Sequence, residues 1–195
     1  MLPESEKYQT ERAILTKLRQ LYKNLRKEFR QKWDRDFPFE EILFDRWERA
    51  NDLGFGEGTS IYHSSYVYGD VKVGKGAWIG PYTLLDGSGT LVIGDHCNIS
   101  SGVQIYTHDS VKRALTGGIA QIEHAPVVIG DYCYIGPQTV ITKGVTIGDH
   151  SVIGACSLVN KDIPPYSIAM GIPCRIAGNV EIAESDVKFR YLNDH

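Results

Sequence analysis

The chain has 195 residues, 21 Lys and Arg against 24 Asp and Glu, and a net charge of −3 with His counted neutral. That length allows one or two domains, and that balance gives no global attraction to nucleic acid or an anionic membrane. No apolar run approaches the roughly twenty residues of a membrane span, and the opening MLPESEKYQTER lacks an apolar signal core, so a cytoplasmic location is expected.

The first element is a helix over residues 4–33. Ile14, Leu18, Leu21, Leu25 and Phe29 recur at helical spacing, with Leu15 and Tyr22 widening the stripe. Pro38 stops that pattern, and Glu40 and Glu41 suit the first turn of a second helix over 39–51. Gly54, Gly56 and Gly58 end it. A helical cap has a physical reason here, because the repeat that begins at Ile61 would otherwise expose core and strand edges at its open end.

From Ile61 an aliphatic residue recurs every sixth position: Val67, Val73, Ile79 and Leu85, then Ile93, Ile99 and Ile105. A cleaner run spans 129–164, with aliphatics at Ile129, Ile135, Ile141, Ile147, Ile153 and Val159. Small or apolar residues fill the fifth place of each hexad, as at Cys133, Thr139, Val145 and Ser151. A period of six fits neither a helix nor a free strand; it marks a parallel β-helix, three hexads to a triangular coil, so that positions eighteen apart stack. The expected fold is an all-β solenoid behind an N-terminal helical cap. The helical segment covers 1–53, the β-helix 54–178 and a C-terminal tail, helical or loose, 179–195.

Two irregularities interrupt the repeat. Between Leu85 and Ile93 the phase slips by two, and Asp86, Gly87 and Gly89 suggest an enlarged corner. Residues 111–128 keep the overall phase without the hexad pattern, so the stretch 109–128 reads as a loop thrown out from the prism. His108 stands at its start, in IYTHDS. A His there can take a proton near neutral pH; periodicity alone favours an ordinary surface His without a role. His124, inside the loop, is the second candidate. His96 and His150 share a polar turn position and read as decoration, while His63 and His195 have no supporting context. Lys143 and Lys161 stack on one edge, and with Arg175 offer positive charge to a phosphate group. Pro137 and Ala155 stack on another edge, where small side chains leave a shallow groove. The four Cys show no CxxC spacing and read as buried thiols, which argues against a covalent Cys intermediate. No phosphate-binding Gly loop occurs and no metal is expected.

The stretch from about Ile93 to Gly178, with IGDHCNISSGVQIYTHD, APVVIGDYCYIGPQTVITKGVTIGDHSVIGACSLVNKDIP and GIPCRIAG, resembles the hexapeptide-repeat acetyltransferases. Within them it is most similar to the sugar O-acetyltransferases of maltose, galactoside and nodulation type. The layout of helices before a prism is similar to the acetyltransferases of surface-polysaccharide synthesis. That resemblance implies a left-handed coil, a homotrimer, acetyl-CoA as donor and a site between neighbouring prisms. It implies His108 as general base, and Pro137, Ala155, Asn160, Lys161 and Arg175 along the donor. Asn160 stands where the family has Thr, Gly178 where it has a second basic residue, and Asp109 where it often has Pro. The expected activity is O-acetylation of a sugar hydroxyl in glycan synthesis. N-acetylation of a nucleotide-linked amino sugar and a non-catalytic scaffold are the alternatives. A backbone carbonyl or a carboxylate should orient His108, with Glu123 and Asp109 as the candidates.

Overall fold

The computed structural model describes residues 4–184 and 186–192, with side chains from residue 8 onward; His195 lies outside them. The chain divides into two compact units, Met1–Asp45 and Arg46–His195.

The first unit is helical. α1 spans Glu4–Trp33, as its apolar spacing requires, and α2 spans Phe39–Leu43. Between them the chain turns at Asp34, whose φ is 50°. The return is held by Asp36, which accepts from Arg26 Nε at 2.7 Å and from Arg30 at 3.3 Å. Edge-on contacts of Tyr22 with Phe39 and of Phe29 with Phe37 fill the space inside the turn. The single second helix expected over 39–51 is two. Phe44 is extended, with φ −115° and ψ 148°, and the helix restarts in the second unit as α3, Arg46–Asp52.

The second unit is a left-handed parallel β-helix of about 6 turns. One face stacks Ser60–Ile61, Trp78–Ile79, Asn98–Ile99, Tyr134–Ile135, Val152–Ile153 and Ser167–Met170 in register. The other two faces are joined, because the strand Leu84–Ile93 bends from one into the other. Its start pairs with Gln104–Ile105 and its end with Val127–Ile129.

The hexad aliphatics make the core. Ile61, Ile79, Leu85, Ile99, Ile105, Ile135, Ile141, Ile147, Ile153 and Val159 are fully buried. Each such side chain contributes roughly 1.5–3 kcal/mol over remaining in water. The fifth hexad places also point inward, with Val103, Thr139 and Ser151 at 0% exposure. The glycine after the aliphatic is required by close approach: a Cβ on Gly136 would lie 2.6 Å from the Ala155 nitrogen, and one on Gly148 2.5 Å from that of Pro165. The left-handed backbone turn falls two residues later on non-glycine residues, at Tyr132, Gln138, His150 and Cys156 with φ of 58°, 60°, 57° and 56°.

One corner is a stacked ladder. Each Asp of the IGD turns accepts from the backbone of the coil before it, Asp131 from Asp95 N at 2.7 Å and Asp149 from Asp131 N at 2.9 Å. Beside them the rings of His96, Tyr132, His150 and Tyr166 stack with successive centroid separations of 5.3, 4.8 and 4.8 Å. His96 and His150 are two of the four rings of that column.

The tail is neither helical nor loose over its described part. Arg175–Ala183 and Asp186–Tyr191 add two antiparallel strands to Ser167–Met170. They supply hydrogen-bond partners to an edge the last coil would leave open. Cys97, Cys133 and Cys174 are buried as expected, but Cys156 is exposed, because it occupies a left-handed corner rather than an inward place.

Candidate active site

The two-residue slip is not an enlarged turn. The strand Leu84–Ile93 runs through it without interruption, and its neighbour Tyr66–Val73 follows it with a register shift between Gly69 and Val71. The bend carries Asp86 off the hexad pattern, where it is 1% exposed beneath the start of the loop. Loop and slip thus meet in consecutive coils.

Asp86 is the centre of that meeting. Its Oδ1 accepts from Ser88 N at 3.0 Å and from Ser88 Oγ at 2.5 Å. Its Oδ2 accepts from Thr107 N at 2.8 Å and lies 2.7 Å from His108 Nδ1. Thr107 Oγ1 donates to the Asp86 carbonyl at 2.8 Å and receives Gly89 N at 2.8 Å, which clamps the bend. Burial alone would push this carboxyl up, but the donors from Ser88, Thr107 and His108 outweigh it and hold the group well below the usual carboxylate range. An ionised carboxylate at Nδ1 keeps the proton on that nitrogen and leaves Nε2 as an acceptor. The His108 side chain is 37% exposed, so Nε2 can meet a substrate. Asp109 and Glu123, the candidates for orienting His108, do not: Asp86 does, although its sequence context suggests only a turn.

The loop is built rather than slack. His108–Asp109 pairs antiparallel with Glu123–His124, placing His108 opposite His124 with ring centroids 5.9 Å apart. Between them lies one short helix, α4, Val111–Leu115. Lys143, from the next coil, pins the loop's two arms, reaching Asp109 at 3.1 Å and Glu123 at 3.2 Å. Lys112 also pairs with Glu123. Asp109, held by the Val111 N–H and then Lys143, and Glu123, held by Lys112 and then Lys143, are lowered from their ordinary values. Lys143 is raised by the same two carboxylates. It follows the pair Ile141 and Val159 at the same corner as Lys161, and its charge is taken up by the loop.

Pro137 and Ala155 share one corner in consecutive coils, where Cys156 N donates to Pro137 O at 2.9 Å. Asn160 and Lys161 are exposed on the next corner, in the column that also carries His108 and Lys143. Arg175 is exposed at the start of the C-terminal hairpin, its Nη1 on the Cys174 carbonyl at 2.8 Å. The structure therefore joins Asn160 and Lys161 to the His108 column and sets Pro137 and Ala155 on a different one. Among the described residues, no three His, Cys, Asp or Glu side chains converge as ligands of a metal ion would.

A prism of stacked hexads with a carboxylate-held His at its one large excursion defines a class, the hexapeptide transferases. Residues 126–161 match the family model described as bacterial transferase hexapeptide (six repeats). The galactoside O-acetyltransferase of Escherichia coli (strain K12) is 34% identical over 143 residues, 63% of this chain and 69% of its own length. The solved galactoside acetyltransferase in complex with coenzyme A has a TM-score of 0.58 at 30% identity, over 85% of this chain and 82% of that one. A maltose O-acetyltransferase from Clostridium difficile 630 has a TM-score of 0.55 at 31% identity, over 87% and 89%. This chain belongs to the hexapeptide-repeat acetyltransferase family and is an acyltransferase.

Proposed function

We propose that this enzyme transfers an acetyl group from acetyl-CoA to a sugar hydroxyl, with His108 as general base. The observation that carries the reading is the 2.7 Å contact of buried Asp86 with His108 Nδ1. It fixes which nitrogen can accept the hydroxyl proton. As Nε2 takes that proton, the alkoxide oxygen attacks the thioester carbonyl. The collapse of the adduct expels the CoA thiolate, and the imidazolium returns its proton to that sulfur. Asp86 stays ionised and stabilises the imidazolium while it exists.

Pro137, Ala155, Asn160, Lys161 and Arg175 form the donor groove. Lys161 and Arg175 face the phosphate end as charged donors, and the small corner residues leave room for the pantetheine arm. Their division between two corners of one prism favours a homotrimer in which the donor lies between neighbouring prisms. The solved galactoside acetyltransferase with coenzyme A supports the choice of donor, and its sugar-modifying relatives support the choice of acceptor. Among the described residues, no helix is long and apolar enough to cross a membrane.

The test is release of CoA thiol from acetyl-CoA across free sugars, glycan fragments and nucleotide amino sugars. Wild-type turnover on a sugar hydroxyl, lowered by about 10²–10⁴ in His108→Ala, supports the reading. Turnover confined to an amino sugar would move the reaction to nitrogen. Full activity of His108→Ala with the accepted substrate would remove the base.

A further inference from the structure

The proposed donor residues all lie in coils that follow His108, so an acceptor on the coils that precede it would set a hydroxyl on one side of Nε2 and the thioester on the other. The strand of the preceding coil that pairs with the bent strand, Tyr66–Val73, offers two aromatic rings to solvent. Tyr66 is 61% and Tyr68 49% exposed. Their centroids are 6.2 Å apart with the planes tilted by 32°, which makes a shallow open cup. Tyr68 is the register partner of Asp86, and Tyr66 that of Leu84. In-register partners lie one strand spacing apart, about 4.8 Å, and point to the same side of the sheet. The rings therefore begin one coil below the carboxylate that holds the base. Leu84 is paired in turn with Gln104, whose Oε1 accepts from Tyr106 OH at 2.7 Å, so the outer face passes from aromatic to polar as it nears His108.

We infer that Tyr66 and Tyr68 are the acceptor platform and that they select a pyranose ring. This rests on the acetyl-transfer reading above and names the substrate feature that site recognises. A pyranose presents a face of C–H bonds that packs on an aromatic ring and an edge of hydroxyls that does not. Two tilted rings fit that shape, whereas an open-chain polyol of equal hydroxyl count offers no flat face. With the apolar face seated on the tyrosines, the hydroxyl edge is left for the polar side and for Nε2.

The experiment compares wild-type enzyme, Tyr66→Ala/Tyr68→Ala and Tyr66→Phe/Tyr68→Phe. The acceptors are maltose and a galactoside as pyranose probes and sorbitol as the open-chain probe. Acetyl-CoA binding by calorimetry and assembly mass by light scattering accompany the kinetics. The alanine pair should raise KM for the pyranoses roughly ten-fold or more, since two ring contacts are lost, and should abolish the preference over sorbitol. It should leave acetyl-CoA binding and mass unchanged, and the phenylalanine pair should restore the pyranose KM. An unchanged pyranose KM in the alanine pair overturns the platform. So does a fall in assembly mass with loss of acetyl-CoA binding, which would make the rings a subunit contact. Wild-type enzyme that acetylates no sugar overturns the underlying reading instead, whatever the tyrosine variants do.

Discussion

Replacing Asp86 by Asn separates the geometry of the site from its electronics. The side chains are isosteric, and Asp86 is buried, so little else should move. What changes is the donor pattern. In the native site Asp86 Oδ2 faces only donors, Thr107 N at 2.8 Å, Thr107 Oγ1 at 3.2 Å and His108 Nδ1 at 2.7 Å. Oδ1 faces Ser88 N and Ser88 Oγ. An Asn must turn its NH2 towards one of these sets. Towards His108 it donates to Nδ1, so the ring proton moves to Nε2 and the base is lost. Towards Ser88 it opposes an N–H and leaves His108 beside a neutral amide. Either way the imidazolium loses its counter-charge, and kcat should fall by about 10²–10⁴, with KM for acetyl-CoA unchanged. Each charge-assisted bond weakened costs about 1.5–3 kcal/mol, so Tm should fall as well. The carboxyl is held well below the usual range, so its contribution to stability is present above its unfolded value of about pH 4 and is lost as pH falls through the folded value. The wild-type protein should therefore lose Tm in acid more steeply than Asp86→Asn. The assays are steady-state thiol release and calorimetric melting between pH 3 and pH 8. An Asp86→Asn enzyme with kcat within about three-fold of wild type would refute the dyad, because no general-base contribution that small needs a fixed tautomer.

Other parts of the prism carry three more expected outcomes. Lys143→Met frees both arms of the loop from Asp109 and Glu123; hydrogen exchange over 108–124 should quicken and kcat fall several-fold, with the melting of the coils little changed. Ile141→Ala removes a fully buried hexad side chain and should cost about 2–5 kcal/mol in denaturant unfolding. Cys156 should react with a maleimide while Cys97, Cys133 and Cys174 remain unlabelled in the native protein; CoA should slow that reaction if Ala155, beside Cys156, lines the donor groove as proposed.

The prism is legible in the sequence because its cause is local and repeated. Ile129, Ile135, Ile141, Ile147 and Ile153 each face the same axis for the same reason, and the buried fifth places follow from the same pleat. The position of His108 is legible from the loss of that pattern after it. Phe44 is not, because nothing in FEEILFDRWERAN marks an extended residue inside a helical run. The hairpin after Met170 escapes a sequence reading because its strands answer an open edge, which the repeat itself does not encode. Composition alone places Cys156 in the interior, whereas its corner conformation sets it outside.

Asp86 is the instructive case, since its signal is present in the number of residues. In the ordinary coil stacked positions lie eighteen apart, as Tyr66 and Leu84 do, closing to sixteen only at the last coil, as Ile153 and Ala169 do. Across the slip they lie twenty apart, as Leu84 and Gln104 do. Carrying that offset along the chain sets Asp86 beside Tyr106 and Ser88 beside His108. The inserted pair thus delivers an acid and its clamp to the corner where the loop departs. A corner of ordinary size could not do this. Its hexad places hold one inward aliphatic, one small inward residue and a tight turn, with no room to bury a carboxylate beside a half-exposed His. The bend made by the extra residues creates that room, and Gly89 N on Thr107 Oγ1 closes it. The regular coils supply rigidity, and the proposed chemistry requires two adjacent departures from regularity. Restoring the period by deleting two residues between Asp86 and Thr90 should therefore leave a folded prism that melts cooperatively and transfers no acetyl group.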